Sequence, residues 1–201
     1  MALRSVEIEH QRRTDWRGTS IAMIDWKRIR ESIGYTQAKQ SKDASKWHYL
    51  ALGYHAAANI LEEHQDKIPA DTRPFAFNAA LSIELILKSV LARKSVGISG
   101  GANGHDLNLL AERAEIALNE NQKLTLELFT ETIVWSGRYP APKNELKWDD
   151  YQDRILESHI VRRTVGNVSS VVANRETFPN WENYSKIWAI CIAEFQAARE
   201  Q

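Results

Sequence analysis

Apolar residues recur along this chain at the three-to-four spacing of amphipathic helices, not at the alternation of half-buried strands. Between Ser20 and Ile33, Ile21, Ile24, Ile29 and Ile33 stand among charges at mixed helical spacing. From Asp43 to Lys67, Trp47, Leu50, Tyr54, Ala57, Ala58 and Leu61 fit one face of a long helix. Pro69 and Pro74 bracket the next turn, and Pro74 suits the first turn of a third helix reaching about Val96. Its apolar set, Phe77, Ala80, Leu81, Leu85, Leu87, Val90 and Leu91, runs nearly all round, which predicts a central, buried helix.

The Gly-rich stretch from Gly97 to Gly104 comes next. Helices are predicted from about His105 to Leu118 and from Gln122 to about Gly137, the latter ending in Trp135-Ser136-Gly137-Arg138-Tyr139-Pro140. Pro140 and Pro142 block its continuation. A shorter helix spans Asp149 to Arg162. The β-branched run Val165–Val172 leaves its own state open, and no strand pair stands out. Pro179 opens a last helix to Ala198, with Trp181, Tyr184, Ile187, Trp188, Cys191, Ile192 and Phe195 on one stripe. The expected fold class is all-α, an antiparallel helical bundle over 43–201, with a helical segment over 1–42 before it.

A length of 201 residues fits one domain, or one domain with an appendage. Lys+Arg and Asp+Glu both number 26, so bulk charge does not drive nucleic-acid binding. A local basic face is still allowed: residues 1–42 carry nine basic and five acidic side chains, against eleven and fifteen over 101–201. Cys191 is alone, which excludes an intrachain disulfide and a cysteine-cluster metal site, and its stripe makes it a small core residue. The first ten residues hold no apolar signal core. The most apolar stretch, Ala79–Ala92, carries Glu84 and Lys88 and is too short to span a bilayer. A cytoplasmic protein without membrane contact, metal or cofactor is the expectation.

Several chemistries fail on spacing. Gly104 is followed by His105-Asp106, not by the Lys-Ser/Thr of a phosphate-binding loop, and a helix rather than a strand precedes the glycines. Asp106 reads as a helix cap. Glu7-Ile8-Glu9-His10 is a single Glu-x-x-His, whereas a di-iron bundle needs two. His48 and His55 share a helix face and read as packing residues. Two constellations remain. In one, Glu84 and Lys88, a turn apart on an apolar helix, need further polar partners if buried, and His105 and Asp106 are placed to supply them. The other is Arg138-Tyr139-Pro140 at a helix end.

Glu84-Leu85-Ile86-Leu87-Lys88, then Gly104-His105-Asp106-Leu107-Asn108-Leu109-Leu110, resembles the HEPN superfamily (higher eukaryotes and prokaryotes nucleotide-binding). Trp135-Ser136-Gly137-Arg138-Tyr139-Pro140-Ala141-Pro142 resembles one group of its bacterial members. The resemblance covers roughly residues 43–160. It implies a compact helical bundle, often a homodimer. It implies either a metal-independent endoribonuclease of toxin–antitoxin or phage-defence systems, or a catalytically inactive module binding a protein partner, an antitoxin, a nucleotide or RNA. Ribonuclease members carry Arg-x(4–6)-His, in which His moves the proton of the 2′-hydroxyl or leaving oxygen and Arg stabilises the charged phosphorane. Arg154 and His159 match that spacing, with Ile155 in place of the usual polar residue; Arg4 and His10 match it too. Within an α-helix, positions five apart point about 140° apart, so Arg154 and His159 converge only at a distortion, a helix start or a second protomer. The competing site is Glu84, Lys88, His105, Asp106, Arg138 and Tyr139, meeting at one end of the bundle either as a pocket or as a polar network that fixes the loop.

Overall fold

The computed structural model describes residues 24–68, 73–98 and 104–198. The chain divides into two compact units, residues 1–40 and 41–201. In the first unit, α1 (Trp26–Ser32) begins where the Asp25 carboxylate accepts from the backbone N–H of Arg28, at 3.0 Å. Gly34, at φ +72°, terminates it in the left-handed region. α2 (Gln37–Gln40) follows, and α1 buries none of its own side chains. The helix start expected at Ser20 and the residues Arg4, Glu7, Glu9 and His10 lie outside the described residues.

The second unit is mostly helical. α3 (Ala44–Glu63), α4 (Arg73–Arg93), α5 (Leu107–Arg113), α6 (Glu120–Glu131) and α7 (Glu145–Arg154) precede a hairpin of β1 (Ile160–Val165) and β2 (Val168–Ala173), and α8 (Trp181–Ala197) closes the chain. π-helical turns extend α6 over Thr132–Ser136 and α7 over Ile155–His159. α4 is the axis of the bundle, packing against α3, α5, α6, α8 and the first π turn. Ile83, Ile86, Leu87, Val90 and Leu91 lose all solvent contact there. Burying each such side chain contributes about 1.5–3 kcal/mol.

α4 stops at Arg93, a little short of the predicted Val96, and extends well beyond the apolar stretch Ala79–Ala92. At 21 residues it is long and apolar enough to cross a membrane, yet 72% of that window is buried inside the fold. A helix enclosed by four others is apolar all round for that reason. Phe77 and Leu81, expected in the core, are only partly buried. α5 is shorter than the predicted 105–118: Glu115 adopts φ +59°, and the Lys94 ammonium caps the exposed end by donating to the Ala114 carbonyl, at 2.7 Å.

α8 buries Tyr184, Ile187, Trp188, Cys191 and Phe195 on one stripe. Burial pushes the Cys191 thiol up to about 12, so it packs as a neutral core group. His48 stacks on Phe195 and His55 on Trp188, each with centroids 4.3 Å apart. Burial lowers the pKa of both imidazoles, with Arg93 adding to the effect at His48. The Tyr184 hydroxyl lies 2.6 Å from His55 Nδ1 and 2.7 Å from Ser82 Oγ, while Ser82 Oγ–H donates to the Ala79 carbonyl. That hydroxyl hydrogen being used, Tyr184 donates to Ser82 and accepts from His55.

The hairpin corrects the all-helical expectation over 160–173. Ile160 pairs with Ala173 and Val165 with Val168, antiparallel throughout. Gly166, at φ +60°, occupies the first position of a two-residue turn, which a residue without Cβ fills most readily. The helix expected to reach Arg162 therefore ends at His159.

Candidate functional site

Glu84 and Lys88 lie one turn apart on α4, both buried. Lys88 Nζ sits 2.5 Å from Glu84 Oε1, and 5.6 Å from the centroid of the Trp47 ring. The second carboxylate oxygen, Glu84 Oε2, lies 3.1 Å from Nδ1 of His105. The buried pair thus acquires the additional polar partner it needs. A carboxylate oxygen accepts, so Nδ1 of His105 donates in this contact and Nε2 is the ring nitrogen left for the groove. His105 itself is exposed.

Asp106 caps α5, its Oδ1 accepting from the backbone N–H of Leu109 at 3.0 Å. Leu107 N–H donates to Thr130 Oγ1 (3.1 Å), which ties this turn to α6. The π turn after α6 then carries the chain to Arg138, whose Nη2 donates to the carbonyls of Ile133 and Val134. Among the described residues Arg138 has no carboxylate partner. Its guanidinium lies 5.5 Å from the ring centroid of Tyr139, which is 53% exposed. Gly137 is required here: a Cβ at this position would stand 2.6 Å from Phe77 Cδ2 and 2.7 Å from the Thr132 carbonyl oxygen.

These elements enclose a groove of about 530 Å³, floored by Phe77, Leu81 and Ile133 and walled by His105, Asp106, Glu131, Arg138 and Lys147. His105, Asp106 and Arg138, far apart in sequence, line this one groove. Glu84 and Lys88 lie behind His105, and Tyr139 stands beside Arg138.

Glu131 is the residue that sequence reasoning missed. Its carboxylate accepts from Trp135 Nε1 (2.6 Å) and from Arg154 Nη2 (3.0 Å), and lies 3.6 Å from Lys147 Nζ. Tyr151 packs edge-on against Trp135, with centroids 5.0 Å apart, and burial raises its pKa. The only local hint was an acid in the last turn of a helix, where a negative charge meets the unfavourable end of the helix dipole.

The Arg154 and His159 side chains are held by different partners. The second π turn, with its i→i+5 hydrogen bonding, supplies the distortion that the spacing called for. No hydrogen bond or ion pair joins the two side chains. Arg154 is held by Glu131. His159 is 1% exposed, with Nδ1 3.0 Å from Thr177 Oγ1. Thr177 donates its hydroxyl hydrogen to the Ser158 carbonyl, so the imidazole is the donor in that contact. Burial lowers the His159 pKa, Thr177 opposes this, and the charge of Arg154 lowers it further. A neutral ring enclosed in this way ties the hairpin to the bundle.

A second cavity, about 670 Å³, lies between the hairpin and the starts of α6 and α8, lined in part by Arg163, Arg175 and Lys186. Two of its three cations are paired: Glu182 takes Lys186 at 2.9 Å and Arg175 at 3.5 Å. Asn121 donates to Glu176 at 3.0 Å. The groove at Arg138 is the one that brings together residues of both constellations singled out in the sequence.

Comparison of the chain with protein-family models, with curated proteins and with solved structures finds no match. Among the described residues no group of three or more His, Cys, Asp or Glu is arranged to hold a metal ion.

Proposed function

We propose that this chain is a HEPN-like module that binds a phosphate-bearing ligand, single-stranded RNA or a nucleotide, in the groove of His105, Arg138 and Lys147. One observation carries this reading: Arg138, without a carboxylate partner among the described residues, shares a groove with the Lys147 ammonium and the His105 imidazole and stands beside an exposed aromatic ring. Guanidinium and ammonium groups hold phosphate oxygens, and Tyr139 offers a face on which a base can stack. The His105 and Arg138 motifs that carry the HEPN resemblance meet at this groove, which supports the family reading.

Metal-free RNA cleavage, in a defence or toxin setting, is the second reading, and His105 is the observation in its favour. With Nδ1 held by Glu84, Nε2 can take a proton from a 2′-hydroxyl while Arg138 and Lys147 meet the charge that develops on phosphorus. On this reading the acid–base role passes from the enclosed His159 to His105.

One experiment separates them. Labelled single-stranded RNA is titrated with wild type, Arg138→Gln, Lys147→Gln and His105→Gln in EDTA at low salt, following anisotropy and running each sample on a gel. Lys186→Gln, which removes an ammonium already paired with Glu182 in the second cavity, is the control. Binding weakened about tenfold by Arg138→Gln, with intact RNA, supports the module. Cleavage lost in His105→Gln supports the enzyme. Binding unchanged in all three groove variants overturns both.

A further inference from the structure

The cavity between the hairpin and the starts of α6 and α8 differs in its lining from the groove at Arg138. Among the described residues around its volume of about 670 Å³, Val161 is the one hydrocarbon side chain and no ring is present. Such a site offers a nucleobase nothing to stack on and an apolar ligand nowhere to bury its surface. Its occupant is polar throughout.

What that occupant carries follows from the groups the lining leaves unused. Asn119 and Gln122 form the capping box of α6, the side-chain oxygen of each accepting from the other's backbone N–H at 2.9 Å. The Asn174 side-chain oxygen accepts in the same way from the backbone N–H of Glu176, at 3.1 Å. With these oxygens taken, each side chain is left with its NH2 group, and among the described residues none of the three has an acceptor. β1 adds a charge. Strand residues alternate between faces, so Val161 and Arg163 share one, and both line the cavity. Among the described residues the Arg163 guanidinium has no carboxylate partner, whereas Arg175 and Lys186 are held by Glu182. The unused groups are therefore donors, one of them cationic, and they call for an acid. Residues 1–42, with nine basic side chains against five acidic, do not offer it.

Asn183 has the opposite need. It lines the cavity and is 9% exposed. Its Nδ2 donates to the carbonyls of Arg175 and Phe178, at 2.9 Å each, which uses both hydrogens. Oδ1 accepts from nothing among the described residues. An acceptor this deeply placed is costly to leave without a donor. The acid that meets Arg163 must also bring a hydroxyl for Asn183.

We infer that this cavity is a second binding site, for a small hydroxylated acid: a sugar bearing a carboxylate or a phosphate group. The acidic group takes the Arg163 guanidinium and the free amide hydrogens, and a ring hydroxyl donates to Asn183 Oδ1. The site stands apart from the groove at Arg138 and does not rest on the function proposed for it.

Isothermal titration calorimetry on the full chain tests it, with glucuronate and glucose 6-phosphate as the two probes. At least one is expected to bind with a Kd of about 0.1–1 mM, and the tighter of the two identifies the acidic group. Glucose lacks the charge and glutarate lacks the hydroxyls, so each is expected to bind about tenfold more weakly or worse. Arg163→Gln changes an exposed strand position. Its circular dichroism and its RNA binding are expected to equal wild type, while its affinity for the sugar acid falls about tenfold. Absence of heat from both probes up to about 10 mM overturns the inference. So does binding indifferent to Arg163→Gln. Glutarate as tight as glucuronate overturns it too, because the cavity would then hold a bare anion and leave Asn183 out.

Discussion

Two polar systems hang from α4, two residues apart, and they are built to different ends. At Ser82 the chain of hydroxyls closes on itself: His55 donates to Tyr184, Tyr184 to Ser82, Ser82 to the Ala79 carbonyl. Every group is neutral and every hydrogen has a place. At Glu84 the groups are charged, and the sequence Lys88, Glu84, His105 ends at a ring nitrogen on the wall of a groove. A closed neutral network specifies how helices pack. An open charged one holds a group ready for something that arrives from outside.

The contrast can be broken most sharply at Glu84. Glu84→Ala strands the Lys88 ammonium in the core and is expected to cost about 3–5 kcal/mol in urea unfolding. Replacing both partners, Glu84→Leu with Lys88→Met, recovers most of that stability while leaving His105 without its carboxylate. RNA binding or cleavage that survives the double change would show that the Glu84 side, too, is only structural.

Gly137→Ala comes next. The added methyl meets Phe77 and the Thr132 carbonyl, so a loss of about 1–3 kcal/mol is expected. The ligand groove should be disturbed along with it, because Phe77 is its floor. Thermal unfolding and RNA titration on the same sample check both parts.

Tyr184→Phe removes the middle of the closed network and leaves His55 Nδ1 and Ser82 Oγ without it, at about 1–2 kcal/mol. Burial raises the Tyr184 pKa, so the hydroxyl stays protonated and this cost is the same across neutral and mildly alkaline pH. RNA binding by this variant is expected to equal wild type. A parallel loss of binding would mean the two systems are one.

The smallest effect is a pH dependence. His48, His55 and His159 all have pKa values held below the ordinary 6.5, chiefly by burial. The unfolded chain therefore takes up their protons first as pH falls. Their contribution is fully present above pH 6.5 and is lost as pH drops from there through the depressed folded values. Urea midpoints measured downward from pH 7.5 should fall, beginning near pH 6.5; a midpoint that rises on acidification would contradict the enclosed, neutral placement of these rings.

The bundle was legible where burial imposes a period. The stripe of α8 from Tyr184 to Phe195 and the apolar run of α4 follow directly from side-chain spacing, because the core reads one face of each helix. The hairpin was not, although Gly166-Asn167 between two β-branched runs is a turn signal. Its strands expose Arg162, Arg163 and Val171, so neither shows the alternation that a buried face enforces. The meeting of His105 with Glu84 and of Arg138 with the same groove could be anticipated from residue type, since a buried ion pair calls for partners. Glu131 could not, because what makes it a hub is Arg154, Lys147 and Trp135 arriving from three different places in the chain. The enclosure of His159 was equally hidden: it depends on Thr177, which the hairpin brings back beneath it.

The π turn at Thr132–Ser136 gives the groove a tolerance of chain length that no substitution would reveal. Such a turn holds one residue more than the α-helical path around it. Deleting a single residue between Thr132 and Ser136 would let the helix relax to its ordinary winding and leave what lies beyond close to its place, with Arg138 and Tyr139 still at the groove. Deleting a second, with no surplus left to give up, would turn everything beyond by about 100° and carry both side chains away from His105. In a set of descendants of this chain, a gap of one residue in this turn is compatible with the groove and a gap of two is not.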